Sequence, residues 1–292
     1  MENIKHIYSI LKPPPTHWVG NGFRVHNFFP SGYKIANKIS PFYLLDYNSK
    51  IEYPPSNEKR GVGVHPHRGF ETVTIAYQGR VAHHDSAGNS GIIGEGDVQW
   101  MTAAKGILHK EYQEQSFVEQ GGTFQMVQLW VNLPAKYKFE EPKYQSLLHS
   151  DMGKYQIENG GGVINIIAGH YKSVKGPAFT YTPINMFDAR LNLNSKIEIE
   201  IPQNHNSGIL IIEGKIKVNN SEIAETDHFV LFKNEGEKFE LEALEKSIVL
   251  ILSGEPIDEP IAQYGPFLMN THDELKQAFE DLNSGKFGYL ED

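Results

Sequence analysis

The sequence predicts an all-β protein, and two observations carry that prediction. The 27 glycines and 16 prolines are spread along the chain, as in proteins that turn often. Between them lie short apolar segments rich in β-branched residues and bounded by Gly, Asn or Asp. Many short strands of this kind are typical of a sandwich or barrel.

The individual strand candidates follow from alternation and β-branched content. They are Thr72–Tyr77, Thr123–Val131, Ile197–Ile201, Gly208–Ile212 and Ile248–Leu252. The segment Leu133–Lys143, with prolines near both ends, interrupts this pattern and is the predicted linker. It divides the chain into two predicted domains, residues 1–136 and residues 137–292.

One helix is predicted near the C-terminus. Thr271 and Glu274 have the spacing of a capping box, and Gly285 supplies a stop signal. The apolar residues between them repeat at helical spacing; they are Leu275, Ala278, Phe279 and Leu282. Such a narrow stripe favours packing on a sheet over binding a partner.

The composition excludes several classes of function. A formal net charge of −9 provides no general positive field for nucleic acid or an anionic membrane. The absence of cysteine excludes disulfides and thiolate sites, so any metal must be held by His, Asp or Glu. The sequence shows neither a signal-peptide-like run before Pro13 nor an apolar membrane-spanning stretch, and a cytoplasmic location is expected.

A weak internal repeat relates the two halves of the chain. The spacing of glycine and aspartate is similar in both halves, which fits two copies of one β unit. The corresponding residues are Gly79, Asp97 and Gly106 in the first half, and Gly214, Asp227 and Gly236 in the second.

The histidines cluster in one part of the first half. Residues two apart in a strand face the same way, so His65 and His67 should point together, as should His109 and Glu111. Each pair alone also fits a solvated turn or an exposed polar edge. If both pairs converge inside a small barrel, three imidazoles and one carboxylate meet, and this arrangement predicts a mononuclear metal site.

Four stretches of the sequence resemble the signature stretches of the pirin family: His65–Thr74, His83–Gly91, Gly96–Ala103 and Gln263–Thr271. This resemblance implies a bicupin, which is two cupin-type β-barrels in one chain. It also implies one metal ion in the N-terminal barrel, held by three histidines and one glutamate. Here these ligands correspond to His65, His67, His109 and Glu111.

The chain departs from the family pattern in a few places. Family members more often have Gly and Ser where this chain has Ala104 and Lys110. Lys110 should face away from the ligands, so the site is retained. Glu71 occupies the position of the carboxylate ligand in ordinary cupins, but Glu111 competes for that role, and a supporting or structural role is expected for Glu71.

The neighbouring residues leave alternatives open. His83 and His84 are adjacent, so at most one faces inward, and a surface or hydrogen-bonding role is expected. Arg68 either orients a ligand through a hydrogen bond or pairs with a surface acid. In the second half, the repeat places Phe239 and Leu241 where His109 and Glu111 stand, so that barrel is predicted to lack a metal.

The resemblance implies a function as well as a fold. The leading hypothesis is a metal-dependent dioxygenase similar to pirin-type quercetinases, which open the ring of a flavonol with O2 and release CO. The cofactor would be one divalent metal ion, Fe(II) before Mn, Co, Ni, Cu or Zn, and Glu111 would be the catalytic base. The alternative is a metal-dependent regulatory protein, similar to pirins that act as transcription cofactors or redox sensors, working through a protein partner.

Overall fold

The computed structural model describes residues 3–292 and confirms the all-β prediction. The first twelve strands are β1 (Ile7–Leu11), β2 (Thr16–Val19), β3 (Phe23–Phe29), β4 (Phe42–Tyr53), β5 (Gly61–His67), β6 (Phe70–Gln78), β7 (Val81–Asp85), β8 (Ser90–Ile93), β9 (Val98–Thr102), β10 (Ile107–Gln113), β11 (Gly122–Asn132) and β12 (Lys143–Leu147). The others are β13 (Gly153–Ile157), β14 (Gly162–Ala168), β15 (His170–Tyr171), β16 (Val174–Lys175), β17 (Ile184–Leu191), β18 (Lys196–Glu200), β19 (Asn206–Glu213), β20 (Lys215–Val218), β21 (Glu222–Glu225), β22 (Phe229–Phe232), β23 (Lys238–Ala243), β24 (Ser247–Gly254), β25 (Ala262–Tyr264) and β26 (Phe267–Met269). The α-helices are α1 (Ala36–Ile39), α2 (Gln115–Gln120) and α3 (His272–Asn283), with 3-10 turns at Ala135–Tyr137, His149–Asp151 and Glu158–Gly160.

The described residues form two compact units, each made of three chain segments. The first unit contains the described residues up to Pro14, together with Lys34–Pro41 and Ser150–Pro256. The second unit contains Pro15–Tyr33, Phe42–His149 and Ile257–Asp292.

These units differ from the predicted domains 1–136 and 137–292. Strand β1 pairs with β22 and therefore belongs to the first unit. The predicted linker lies in the second unit and leads into β12, which pairs with β9. Helix α3 also lies in the second unit. Long-range pairing of terminal segments, rather than sequence continuity, decides which unit each segment joins.

In the second unit, two sheets carry the fold. One has seven strands in the order β12-β9-β6-β11-β4-β3-β2, and the other has four in the order β5-β10-β7-β8. Phe23, Val81 and Phe124 belong to a buried apolar cluster of this unit. The short sheet carries five histidines, of which His67, His83 and His109 have buried side chains.

The first unit has the same order of strands. Its sheets run β1-β22-β19-β24-β17-β14-β13 and β18-β23-β20-β21, so β22-β19-β24 repeats β9-β6-β11. The turns that follow β6 and β19 contain Gly79 and Gly214 with φ of +81° and +90°, a conformation that favours glycine. The predicted internal repeat is confirmed.

Helix α3 begins at the predicted capping box, with Thr271 and Glu274 bonded reciprocally. Leu275 and Ala278 are buried in a cluster with Phe267 of β26, so the stripe packs against strands of its own unit. Within residues 3–292, none of the helices is long and apolar enough to cross a membrane.

Candidate metal centre

The pairing of β5 with β10 brings three of the predicted ligands together. His109 lies opposite His65 in the antiparallel ladder, and Ile107 lies opposite His67. The ring centroid of His109 is 4.2 Å from that of His65 and 4.8 Å from that of His67. The His65 and His67 centroids are 4.9 Å apart. The i and i+2 spacing therefore produces a compact group of imidazoles.

A glycine allows the two strands to approach closely beside this group. A Cβ at Gly61 would lie 2.2 Å from the backbone oxygen of Glu111, so any larger residue would force β5 away from β10. The register between these strands also shifts between His109 and Glu111. Such an irregularity re-aims a side chain relative to its neighbours.

Among the described residues, possible metal donors form two groups whose atoms all lie within 4.8 Å of one another. The first contains His65, His67 and His109, and the second contains His83, His109 and Glu111. His109 belongs to both. The four predicted ligands are thus divided between two overlapping groups, and His83 joins Glu111.

Burial keeps the central histidines neutral. His67 and His109 are 5% and 0% exposed. Burial, together with the neighbouring imidazoles, holds the pKa of each well below the usual range of histidine. A neutral imidazole is the form that binds a metal.

The hydrogen bonds of the histidines fit a bound cation. His65 Nδ1 lies 2.8 Å from Gly63 O, and His67 Nδ1 lies 3.4 Å from Pro266 O. A carbonyl oxygen only accepts, so these nitrogens carry the protons and each Nε2 keeps its lone pair. His109 Nε2 is buried and has no hydrogen-bond partner among the described residues. The nitrogen donors are therefore suited to a metal ion.

Glu111 is held as a hydrogen-bond acceptor by three side chains. Gln128 Nε2 donates to its Oε2 over 2.8 Å, and Thr74 Oγ1 and Gln99 Nε2 donate to its Oε1, each over 3.2 Å. All three groups donate, so both oxygens of Glu111 accept hydrogen bonds and the carboxyl group is fixed in position.

The sequence did not single out the glutamines that hold Glu111. Gln99 is completely buried in β9, and Gln128 is half-buried in β11. One signal was present, because Gln99 lies between the apolar residues Val98 and Trp100, and a polar side chain buried there needs a partner. Of the adjacent histidines, His83 is completely buried and His84 is exposed, which agrees with the prediction that at most one faces inward.

The two remaining candidates lie beside the donor groups. Glu71 belongs to neither group among the described residues, and Thr102 Oγ1 donates to it over 2.7 Å. Arg68 Nη2 donates to Asp281 Oδ2 over 2.8 Å, and both side chains are buried. Arg68 therefore pairs with an acid, as one of its two expected roles required, but that acid is buried and does not lie on the surface.

A separate cleft of about 640 Å³ lies in the first unit. Its lining includes His170, Lys172, Glu200 and Lys238, and none of the predicted ligands is among its lining residues. Phe239 and Leu241, which stand where the repeat places His109 and Glu111, are buried in the apolar core of that unit.

Comparison with known proteins agrees with this architecture. The Pirin family model matches residues 22–131, and the model of the pirin C-terminal cupin domain matches residues 186–288. A Pseudomonas aeruginosa protein named "putative quercetin 2,3-dioxygenase" is 45% identical over 97% of this chain and 99% of its own length. A pirin-like protein of Solanum lycopersicum is 39% identical, over 86% of this chain and 83% of its own.

The structural comparison gives the same result. A crystal structure of quercetin 2,3-dioxygenase from Acinetobacter baumannii is 43% identical and covers 99% of this chain and all of its own, with a TM-score of 0.93. Two family models together span more than half of the chain, and both domains of the family are present in order. The chain therefore belongs to the pirin family.

Proposed function

We propose that this protein is a metal-dependent dioxygenase that opens the ring of a flavonol with O2 and releases CO. The observation that carries the proposal is the group of His65, His67 and His109, of which the last two are buried, together with buried Glu111, which shares a second donor group with His109. The names of the Pseudomonas and Acinetobacter proteins support the same reaction. O2 supplies the oxidising equivalents, so the reaction needs no further reductant.

The proposed ligands are His65, His67, His109 and Glu111, and the proposed ion is Fe(II). Nitrogen and carboxylate donors suit Fe(II) as well as Mn, Co, Ni, Cu or Zn, and we propose iron first on the basis of the family resemblance. Bound there, the ion would act as a Lewis acid toward the ionised hydroxyl oxygen of the flavonol.

Glu111 is the proposed base. Its carboxylate would take the proton of the substrate hydroxyl, and Gln128, Gln99 and Thr74 would hold it in position through the hydrogen bonds that they donate. Positioned carboxylates of this kind contribute about 10²- to 10⁴-fold in rate.

An aromatic wall beside the histidines supports a flat substrate. Trp130 is half-buried and stacks on Phe70 with ring centroids 4.1 Å apart. The same indole lies 5.3 Å from His67. Aromatic surfaces of this kind pack well against planar ligands, and a flavonol offers such a plane.

The test is anaerobic loading with Fe(II) and quercetin, followed by oxygen, with flavonol bleaching and CO both measured. We expect Glu111→Gln to lower the turnover rate by at least about 100-fold. Glu71→Gln is the matched control, because it changes a buried carboxylate outside both donor groups. Iron content of the same samples distinguishes a lost ligand from a lost base.

Two results would count against the proposal. If Glu111→Gln retains iron and full turnover, Glu111 is not the base. If the iron-loaded wild-type protein neither bleaches quercetin nor releases CO, the quercetinase proposal fails, and the regulatory alternative with a protein partner gains support.

A further inference from the structure

A buried line of side chains leads from Asp85 through His83 to His109. His83 Nε2 lies 3.3 Å from Asp85 Oδ2, and His83 Nδ1 lies 3.4 Å from His109 Nδ1. The side chains of His83 and Asp85 are both completely buried. Water does not compete for these contacts, so the protein alone determines which nitrogen carries each proton.

Asp85 determines where the proton of His83 lies. Its carboxylate accepts from the backbone N–H groups of Ala87 and Asn89 and from the side chain of Asn89. It is thus an acceptor throughout, and His83 Nε2 must donate to it. The lone pair of neutral His83 is therefore on Nδ1.

That lone pair faces two donors. Gln99 Nε2 lies 3.1 Å from His83 Nδ1, and its amide also donates to Glu111. The other neighbour is His109 Nδ1, which can bond to a lone pair only if it carries a proton. This assignment leaves the lone pair of His109 on the buried Nε2.

We propose that the Asp85–His83 pair fixes the tautomer of His109 and so makes Nε2 of His109 the metal-binding atom. The inference rests on the proposed metal centre. His83 is a positioning residue in this scheme and not a ligand. The same nitrogen of His83 also orients the Gln99 amide toward Glu111, so one buried pair arranges two of the four proposed ligands.

The other two imidazoles achieve the same result with backbone oxygens. His65 and His67 donate to the carbonyls of Gly63 and Pro266. The Nδ1 atom of His109 instead faces a side chain, that of His83. A point substitution can replace a side chain but not a backbone carbonyl, so of the three tautomers only that of His109 can be changed in this way.

The test measures binding of Co²⁺, whose visible absorption reports its coordination. Asp85→Asn would present an N–H to His83 Nε2 and move the proton of His83 to Nδ1, where it opposes the proton of His109. We expect the dissociation constant for Co²⁺ to rise about 10- to 100-fold, the usual effect of losing such a partner. We also expect the absorption bands of the bound ion to change.

Three further variants control the experiment. His84→Gln changes the exposed neighbour in the same strand and should bind Co²⁺ like the wild type. His83→Leu removes the acceptor and should weaken binding, whereas His83→Gln can offer an amide oxygen to His109 and should restore most of the affinity. Both His83 variants disturb the packing, so their difference isolates the hydrogen bond.

The Co²⁺ measurements distinguish a failure of the tautomer inference from a failure of the metal centre. If Asp85→Asn binds Co²⁺ as tightly as the wild type with the same absorption, the inference is overturned. It is also overturned if His83→Gln and His83→Leu lose affinity equally. If the wild-type protein itself binds no Co²⁺, the metal centre fails instead.

Discussion

Two buried glutamates near the histidines differ in their hydrogen bonding. Glu111 accepts from three side-chain donors, whereas Glu71 accepts from Thr102 Oγ1. Burial raises the pKa of Glu71 from its usual 4.5 to about 7, against the opposing effects of hydrogen bonds from Thr102 and Trp100 and of the Lys143 charge. Glu71 therefore keeps its proton to a higher pH than an exposed glutamate does.

This difference predicts how pH acts on Glu71→Gln. Between the unfolded and folded pKa values of Glu71, the folded protein binds more protons, so this residue's contribution to stability falls as pH rises from about 4.5 to 7. A glutamine does not titrate, so this decline in stability with rising pH is absent from Glu71→Gln. We expect the free energy of unfolding of the variant, relative to wild type, to increase between about pH 5 and pH 7.5 in urea titrations. A difference that does not vary with pH would contradict the raised pKa.

The sequence predicted part of the residue-scale arrangement. Alternation in strands was enough to place His65 and His67 on one face, because that rule depends only on local geometry. Bringing His109 beside them depends on the pairing of β10 with β5. It could not tell which of His83 and His84 faces inward, since this depends on the register of β7 against β10. Ala104 adopts φ of +40° where the family more often has glycine, and no local pattern reveals that an alanine takes this conformation.

Among the elements, helix α3 is joined to its unit by a buried ion pair. Asp281 on the helix accepts from Arg68 and also from Lys286 and Gln277. The hydrogen bond from Lys286 lowers the pKa of Asp281 to about 2 against the opposing effect of burial, with Arg68 and Gln277 assisting. Arg68 Nε also donates to Lys105 O, so the arginine links the helix to the loop before β10.

We expect Asp281→Asn to destabilise the protein by about 3 kcal/mol, because Arg68 would remain buried without its counter-charge. Asp273→Asn is the control: its carboxylate is exposed beside Lys276, and such a pair contributes at most about 1 kcal/mol. Urea unfolding near neutral pH measures both. Equal effects of the two substitutions would show that the buried pair does not hold the helix.

The Arg68–Asp281 pair predicts that the protein becomes less stable at low pH. The folded pKa of Asp281 is lowered, so its stabilisation is present above the unfolded value of 3.8 and is lost as pH falls toward about 2. Wild-type stability should therefore decline in this range, and Asp281→Asn should lack that part of the decline. Thermal unfolding between about pH 4.5 and pH 2.5 checks the prediction, and parallel curves would contradict it.

Patterns within short stretches of sequence predicted the individual helices and strands better than they predicted which strands pair. The capping box and apolar stripe identified α3, and alternation identified β6 and β11, because these patterns lie within one element. The pairing of β1 with β22 joins residues more than two hundred positions apart. Nothing in the short segment Ile7–Leu11 specifies that partner, so sequence patterns alone could not assign this strand to a unit.

At the scale of the whole molecule, one strand arrangement occurs twice with different interiors. The order β5-β10-β7-β8 of the second unit is repeated by β18-β23-β20-β21 in the first. His109 and Glu111 of β10 correspond to Phe239 and Leu241 of β23, which are buried among apolar residues. The repeat itself could be predicted from glycine and aspartate spacing, because both copies need the same turns.

The duplicated sheets provide an internal control for metal binding. At 100 times its dissociation constant, Co²⁺ should stabilise the folded state by about 2.7 kcal/mol. We expect slower hydrogen exchange in β5 and β10, which carry the proposed ligands, and little change in β18 and β23. His65→Ala should abolish the effect. Equal protection of both sheets would argue against a metal centre confined to the second unit.

The division of the chain into interleaved segments also governs the order in which the ribosome can complete each unit. Synthesis proceeds from the N-terminus, and domains tend to fold as their chain emerges. The first unit has its last segment once Pro256 is made, but the second unit still lacks Ile257–Asp292. The nascent chain thus displays its histidines early, yet the carbonyl of Pro266 that orients His67 arrives almost last. Assembly of the complete proposed metal site is therefore delayed to the end of translation, although the proposed ligands are encoded in the first half of the gene.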